Sequence, residues 1–155
     1  MPPGAARTVV VDATVVIHLA NAGRLDLLGS LEGWDFVAPD QVVEEVIYPE
    51  QAAALARALD VGHLRREAST DLAELALYAE LERRMGRGEA ACLAMAATRG
   101  WLLASDDRGR AFRRLVAEHI GSDRLIGTGR IADAARQQGA LSAGEARRIQ
   151  DLAGN

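Results

Sequence analysis

The chain contains no lysine: all 18 of its basic residues are arginine. Nucleotide hydrolysis on a Gly-rich loop ending in Gly-Lys-Ser/Thr is therefore closed to it, as is Schiff-base catalysis through a lysine amine. Cysteine is nearly absent too. Cys92 stands alone, cannot close an internal disulfide, and reads as a small core residue of a helix. No run of about 18 apolar residues occurs, so no membrane span is expected. The opening "MPPGAARTVVV" lacks the long apolar core of a signal peptide, which points to the cytosol. Excess positive charge is also missing. A formal charge of -4 argues against a broad basic face that coats nucleic acid, and leaves open an enzyme with local contacts. What is present, 155 residues with 49% hydrophobic and 26% charged side chains, suits one globular domain over residues 1–155.

Short β-branched or aliphatic runs alternate with helical patterns along the whole chain. Strands are expected at "TVVV", "WDFVAP", "HLRREA", "WLLAS" and "RLIG". Helices are expected from Thr14 to Asn21 with Gly23 as C-cap, across "RLDLLGSL", and from Asp40, an apt N-cap. Others follow at "PEQAAALARAL", "DLAELALYAELERRM", "GEAACLAMAATRG", "DRGRAFRRLVAEH" and "TGRIADAARQQGAL". A last one at "SAGEARRIQDLA" carries Ser142 and Glu145 as a capping box. Ala90, Leu93, Ala94 and Ala97 share one face at helical spacing. Strands alternating with helices imply a three-layer α/β/α arrangement around a central, mostly parallel sheet.

Acids gather where such a sheet places its sites, beyond the carboxyl ends of the strands. "VVVD" ends in Asp12, and "LLASDD" ends in Asp106 and Asp107. Glu44 and Glu45 lie in "APDQVVEEV", and Glu89 opens the helix after "GRG". Each has a plain structural reading. Asp12 suits an N-cap, and Asp106 and Asp107 could cap the next helix. Glu89 in a first turn gains roughly 0.3–1 kcal/mol from the macrodipole. One of Glu44 and Glu45 reads as solvated surface. Carboxylates gathered at one edge repel each other and raise each other's proton affinity, a conflict that a divalent cation removes. Hard oxygen ligands suit Mg²⁺ or Mn²⁺. Zinc is disfavoured, because His18, His63 and His119 show no ligand spacing and read as structural or surface residues.

These segments, in this order, resemble the PIN-domain ribonucleases, especially the VapC-like toxins of type II toxin–antitoxin pairs. "VVVDATVVIHLANAGRLDLL" resembles their opening segment, with Asp12 as first acid and Thr14 as its nearby hydroxyl. "VAPDQVVEEV" resembles the second and favours Glu45, the acid that precedes an aliphatic residue. "GRGEAACLAMAATRG" resembles the third, with Glu89 where many members carry Asp. In "LLASDDRGRAF", Ser105 stands two before Asp107 and assigns that residue the fourth role, with Asp106 a close rival. "IGTGRIADAARQQGALS" resembles the C-terminal segment of one subgroup, in which Gly-Thr precedes a helix.

The resemblance implies catalytic residues Asp12, Glu45, Glu89 and Asp107, with Asp12, Asp107, Asp106 and Glu89 as candidate ligands for Mg²⁺ or Mn²⁺. It also implies an RNA substrate, a cognate antitoxin and a homodimer. Thr14, Ser105 and Thr128 are candidate contacts to phosphate or to metal-bound water. Arg108 and Arg110 are candidate guides for the RNA backbone, although with Arg113 and Arg114 they also read as a solvated helix face. "DATVV" partly matches the opening of aspartate-nucleophile phosphatases, but Thr14 stands where those need a second Asp. Those enzymes, like phosphoacceptor receiver domains, also need lysine. A PIN-like module that binds without cutting would lack an acid, and here every position is filled.

Overall fold

A computed structural model describes residues 6–154; the "MPPGA" opening therefore lies outside the described residues. Strands β1 (Arg7–Val11), β2 (Trp34–Pro39), β3 (Arg65–Glu67), β4 (Leu102–Ala104) and β5 (Leu125–Ile126) form one sheet in the order β3-β2-β1-β4-β5. Every pairing is parallel, so the sheet is wholly and not just mostly parallel. Val10 at its centre faces Val37 of β2 on one side and Leu103 of β4 on the other. Such strands are covered on both faces, hence their unbroken apolar runs.

The helices are α1 (Ala13–Asn21), α2 (Leu27–Ser30), α3 (Asp40–Glu45), α4 (Pro49–Val61), α5 (Leu72–Leu81), α6 (Arg87–Arg99), α7 (Arg110–His119), α8 (Thr128–Gln137) and α9 (Ala143–Leu152). Helix α6 runs along β1, β2 and β4 with α5 and α7 against it, while α1 packs with α4, α8 and α9. The "GEAACLAMAATRG" reading needs widening. Residues 90–96 are all buried, so α6 is enclosed all round and does not present a single apolar face. Its alanines let the strands and neighbouring helices approach closely. Cys92 is fully buried in it, as read from the sequence.

Two expected caps shift by one residue. Strand β2 runs straight into α3, so Pro39 takes the N-cap position and Asp40 becomes the first helical residue, its carboxylate accepting from Arg66 Nε at 2.6 Å. Ala22 closes α1, and Gly23 follows it with φ +69°. The Ser142–Glu145 capping box on α9 forms as expected.

The chain leaves β1 toward β2 and β3 on one side, then returns through β4 and β5 on the other. The strand order therefore reverses between β1 and β4, which is where an open α/β sheet leaves a crevice at its carboxyl edge.

Candidate active site

Asp12 follows β1 directly, and its backbone N–H donates to the Ala104 carbonyl of β4 at 2.9 Å, which fixes it at the reversal point. Its carboxylate is 3% exposed. Oδ1 accepts from the Ala13 N–H (2.8 Å), while Oδ2 accepts from the hydroxyls of Ser105 (2.8 Å) and Thr14 (3.1 Å). The capping reading of Asp12 thus holds: one oxygen serves helix α1, while the other accepts from the two hydroxyls. Burial pushes its carboxyl above the ordinary range, and the nearby Glu45 charge adds to this. The bonds from Ser105, Ala13 and Thr14 offset only part of that rise.

Glu45 ends α3, and its Oε1 accepts the Gly88 N–H at 2.8 Å. Glu44 points elsewhere and pairs with Arg87 at 3.8 Å on the surface. Position 88 has to be glycine for Glu45 to sit there, since a Cβ would fall 2.8 Å from Glu45 Cδ and 2.9 Å from its Oε1. A flexible carboxylate yields more readily than backbone does. Gly88→Ala is therefore expected to leave the fold intact and displace Glu45; a calorimetric titration with Mn²⁺ tests whether that displacement weakens cation binding, by about tenfold on the scale of losing one charge-assisted hydrogen bond.

Glu89 opens α6 and Asp107 follows β4, and the two carboxyl groups hydrogen-bond each other. Burial, the bond to Asp107, and the charges of Asp107 and Asp12 push Glu89 up to about 8. Asp107 is held below the ordinary range by the Glu89 bond first, against its partial burial, then by the Gly109 N–H and the Arg113 charge. Near neutral pH one extra proton sits between them, on Glu89. Unfolding would release it, because a free glutamate ionises near 4.5. The folded state therefore binds more protons than the unfolded state between that value and about 8. The contribution of Glu89 to the stability of the metal-free protein therefore falls as pH rises through this window. Melting curves in EDTA from about pH 4 to about pH 9, enough to span the window, should show that decline, and a bound divalent cation should flatten it.

Asp106, the rival ligand, is placed differently. Its side chain is 3% exposed; Oδ1 accepts the Thr128 N–H (2.7 Å), and Oδ2 accepts from His18 Nδ1 (2.6 Å) and from the Thr128 hydroxyl. It thus caps α8 from another loop instead of capping α7. Its own N–H donates to Thr14 Oγ1 at 2.9 Å, tying its loop to Asp12. Thr128, a candidate substrate contact, is fully buried with its hydroxyl on Asp106. Ser105 is buried as well, donating to Asp12 and accepting from the Asp107 N–H (3.2 Å). Arg108 donates to the Gly154 carbonyl, and Arg110 starts α7 on the exposed surface.

Three features escape a reading of the sequence. The Gly88 N–H on Glu45 is one; the "GRG" before α6 was its only trace. His18 on Asp106 is another, visible only once α1 and β4 are adjacent. The third is Glu74 of α5, 1% exposed, whose carboxylate is gripped by Arg99 at 2.8 Å and by Thr98 at 2.6 Å. Burial alone would raise its pKa, but the bonds from Arg99, Ser69 and Thr98 outweigh that and hold it at about 2. It is an anchor between α5 and α6, at the opposite end of α6 from Glu89.

Asp12, Glu45, Glu89 and Asp107 come from four separate elements and act on one another's charge. Among the described residues, no arginine makes an ion pair with any of them. Nor, among those residues, do three Asp, Glu, His or Cys groups already form a cage for an ion. Glu89 and Asp107 are bonded to each other instead. The donor set fits a hard divalent cation: carboxylates only, mutually repelling, with the Glu89 carboxyl pushed toward its protonated form by burial and its acidic neighbours.

Among the described residues, no helix is long and apolar enough to cross a membrane. No curated protein and no solved structure matches the chain. The family model DUF3368, described as a PIN domain, matches residues 8–151. PIN domains are commonly nucleases and typically bind Mg²⁺ or Mn²⁺. From Thr8 to Asp151, with all four acids inside the match, the chain belongs to the PIN-domain family.

Proposed function

We propose that the protein is a metal-dependent endoribonuclease that acts in the cytoplasm as the toxin of a toxin–antitoxin pair. The observation that carries this reading is that Asp12, Glu89 and Asp107 converge from three separate elements and, among the described residues, none of them is ion-paired to an arginine, an arrangement that favours a cation between them. Asp12, Glu89 and Asp107 would hold Mg²⁺ or Mn²⁺, with Glu45 completing the acidic wall. Asp106 belongs to the supporting network. The ion, when bound, orients the scissile phosphate, lowers the pKa of an attacking water and screens the leaving oxygen.

The chain's own residues do the rest. Thr14 and Ser105 fix the rotamer of Asp12 by donating to its Oδ2. Ser105 also holds the Asp107 backbone. Arg108 and Arg110 steer the RNA backbone toward a molecule whose formal charge is -4. Unstacked loops and single strands are the accessible form of RNA for a small cleft. A cognate antitoxin would cover the same cleft, and the exposed Leu72 and Leu75 of α5 suit a homodimer contact.

The decisive test is cleavage of a mixed RNA pool with Mn²⁺ or EDTA, by wild type and Asp12→Asn. Products that need both the metal and Asp12 support the reading. With no such products, a PIN-like module that binds RNA or protein without cutting becomes the better description.

A further inference from the structure

Beside the acids lies a polar cavity of about 210 Å³, walled by Ser105, Asp106, Arg108, Arg113, Ser122 and Gly127. It shares a wall with the carboxylate cluster, because Ser105 also bonds Asp12 and Asp107. Arg113, one turn into α7, serves both sides: it lines the cavity, and its charge acts on Asp107. The one acid in the wall does not set the sign of the cavity. The oxygens of Asp106 are turned onto His18 and Thr128. Arg113 therefore brings the cavity a guanidinium that no carboxylate pairs among the described residues, on a chain whose formal charge is -4.

Residue type limits what can enter. No aromatic side chain lines the cavity, whereas bases of single-stranded nucleic acid are gripped chiefly by stacking on aromatic rings. Arginine and hydroxyl donors, here Arg113 and Ser122, are what phosphate oxygens bind, and such contacts fix register without reading sequence. The volume admits a phosphate with its waters.

We propose that this cavity is a subsite for a non-scissile phosphate of the RNA strand, with Arg113 as its main contact. The inference rests on the ribonuclease reading and adds to it a second point of attachment, one that sets the strand's register against the acids. Arg113 is a positioning residue that holds the strand beside the bond that breaks.

The test uses an RNA oligonucleotide in which single linkages flanking the cut site become 2′-deoxy methylphosphonates, each against a 2′-deoxy phosphate control. Wild type should slow by about tenfold at one flanking linkage, the scale of one charge-assisted bond. Arg113→Gln should be slower by about the same factor on the unmodified strand, and be indifferent to the neutral linkage at that position, since coupled losses do not add. Arg113→Lys should recover part of the loss. Additive losses at every linkage would overturn the subsite, because a general effect on metal or fold shows no positional preference. If wild type cuts no RNA, the ribonuclease reading falls on its own, and binding of the uncut strand in EDTA then judges the subsite. Arg113→Gln should lower the slope of log affinity against log salt by about 0.7, the value for one phosphate of a single strand. An unchanged slope would overturn it.

Discussion

Asp12→Asn is expected to raise the melting temperature of the metal-free protein and to lower RNA cleavage at least about a hundredfold, the upper range for groups that merely support a metal ligand. The two effects share one cause. The buried carboxylate lies near Glu45 and Glu89, and its pKa is raised by burial first and by Glu45. Above the usual carboxylate range the unfolded chain is ionised while the folded site resists ionisation, so the charge opposes folding near neutral pH. Asparagine removes that charge. Its side-chain oxygen can still accept the Ala13 N–H, and asparagine is among the favoured N-cap residues. The fold therefore keeps its cap and loses its repulsion. Adding Mn²⁺ should stabilise wild type more than the variant, because binding to the folded state alone adds stability. A variant that melts lower than wild type in EDTA would mean that Asp12 is principally structural. One that cuts RNA as fast as wild type would remove it from catalysis.

The same residue shows how far the amino-acid order carries. Unbroken apolar runs such as Val9–Val11 and Phe36–Ala38 made the buried parallel sheet legible, because strands covered on both faces need no alternation. Asp12 and Asp107 stood at strand ends, and a parallel sheet brings such ends to one edge. Helix α6 was legible as a helix but not in its depth, since burial on every side depends on α3, α5, α7 and three strands closing round it. The choice between Glu44 and Glu45 rested on one neighbouring aliphatic residue; the structure separates them by the Gly88 N–H and Arg87. Asp106 and Asp107 could not be told apart by position. Adjacent residues leaving a strand point to opposite sides, and which side is the cleft depends on where α8 docks.

That last distinction sets the second large effect. Asp106→Ala is expected to destabilise the protein by about 3 kcal/mol and retain metal-dependent cleavage, whereas Asp107→Ala should keep its stability and lose cleavage. Removing the Asp106 carboxylate strips the buried Thr128 N–H and hydroxyl of their acceptor and leaves His18 without its partner. A buried donor left unsatisfied costs roughly 1–3 kcal/mol. For a domain of this size the sum corresponds to a fall in melting temperature of roughly 6–12 °C. Asp107 differs in each respect: its bonds are to Glu89 and to the exposed Gly109 N–H, which water can satisfy. Its loss also frees Glu89 from a repelling neighbour, so Glu89 should ionise at lower pH and the pH-dependent decline in stability should shrink. Melting curves and cleavage rates on the two variants separate the roles. Asp106→Ala with wild-type stability and no activity would make Asp106 the metal ligand and Asp107 its support, reversing the assignment drawn from the bonds to His18 and Thr128.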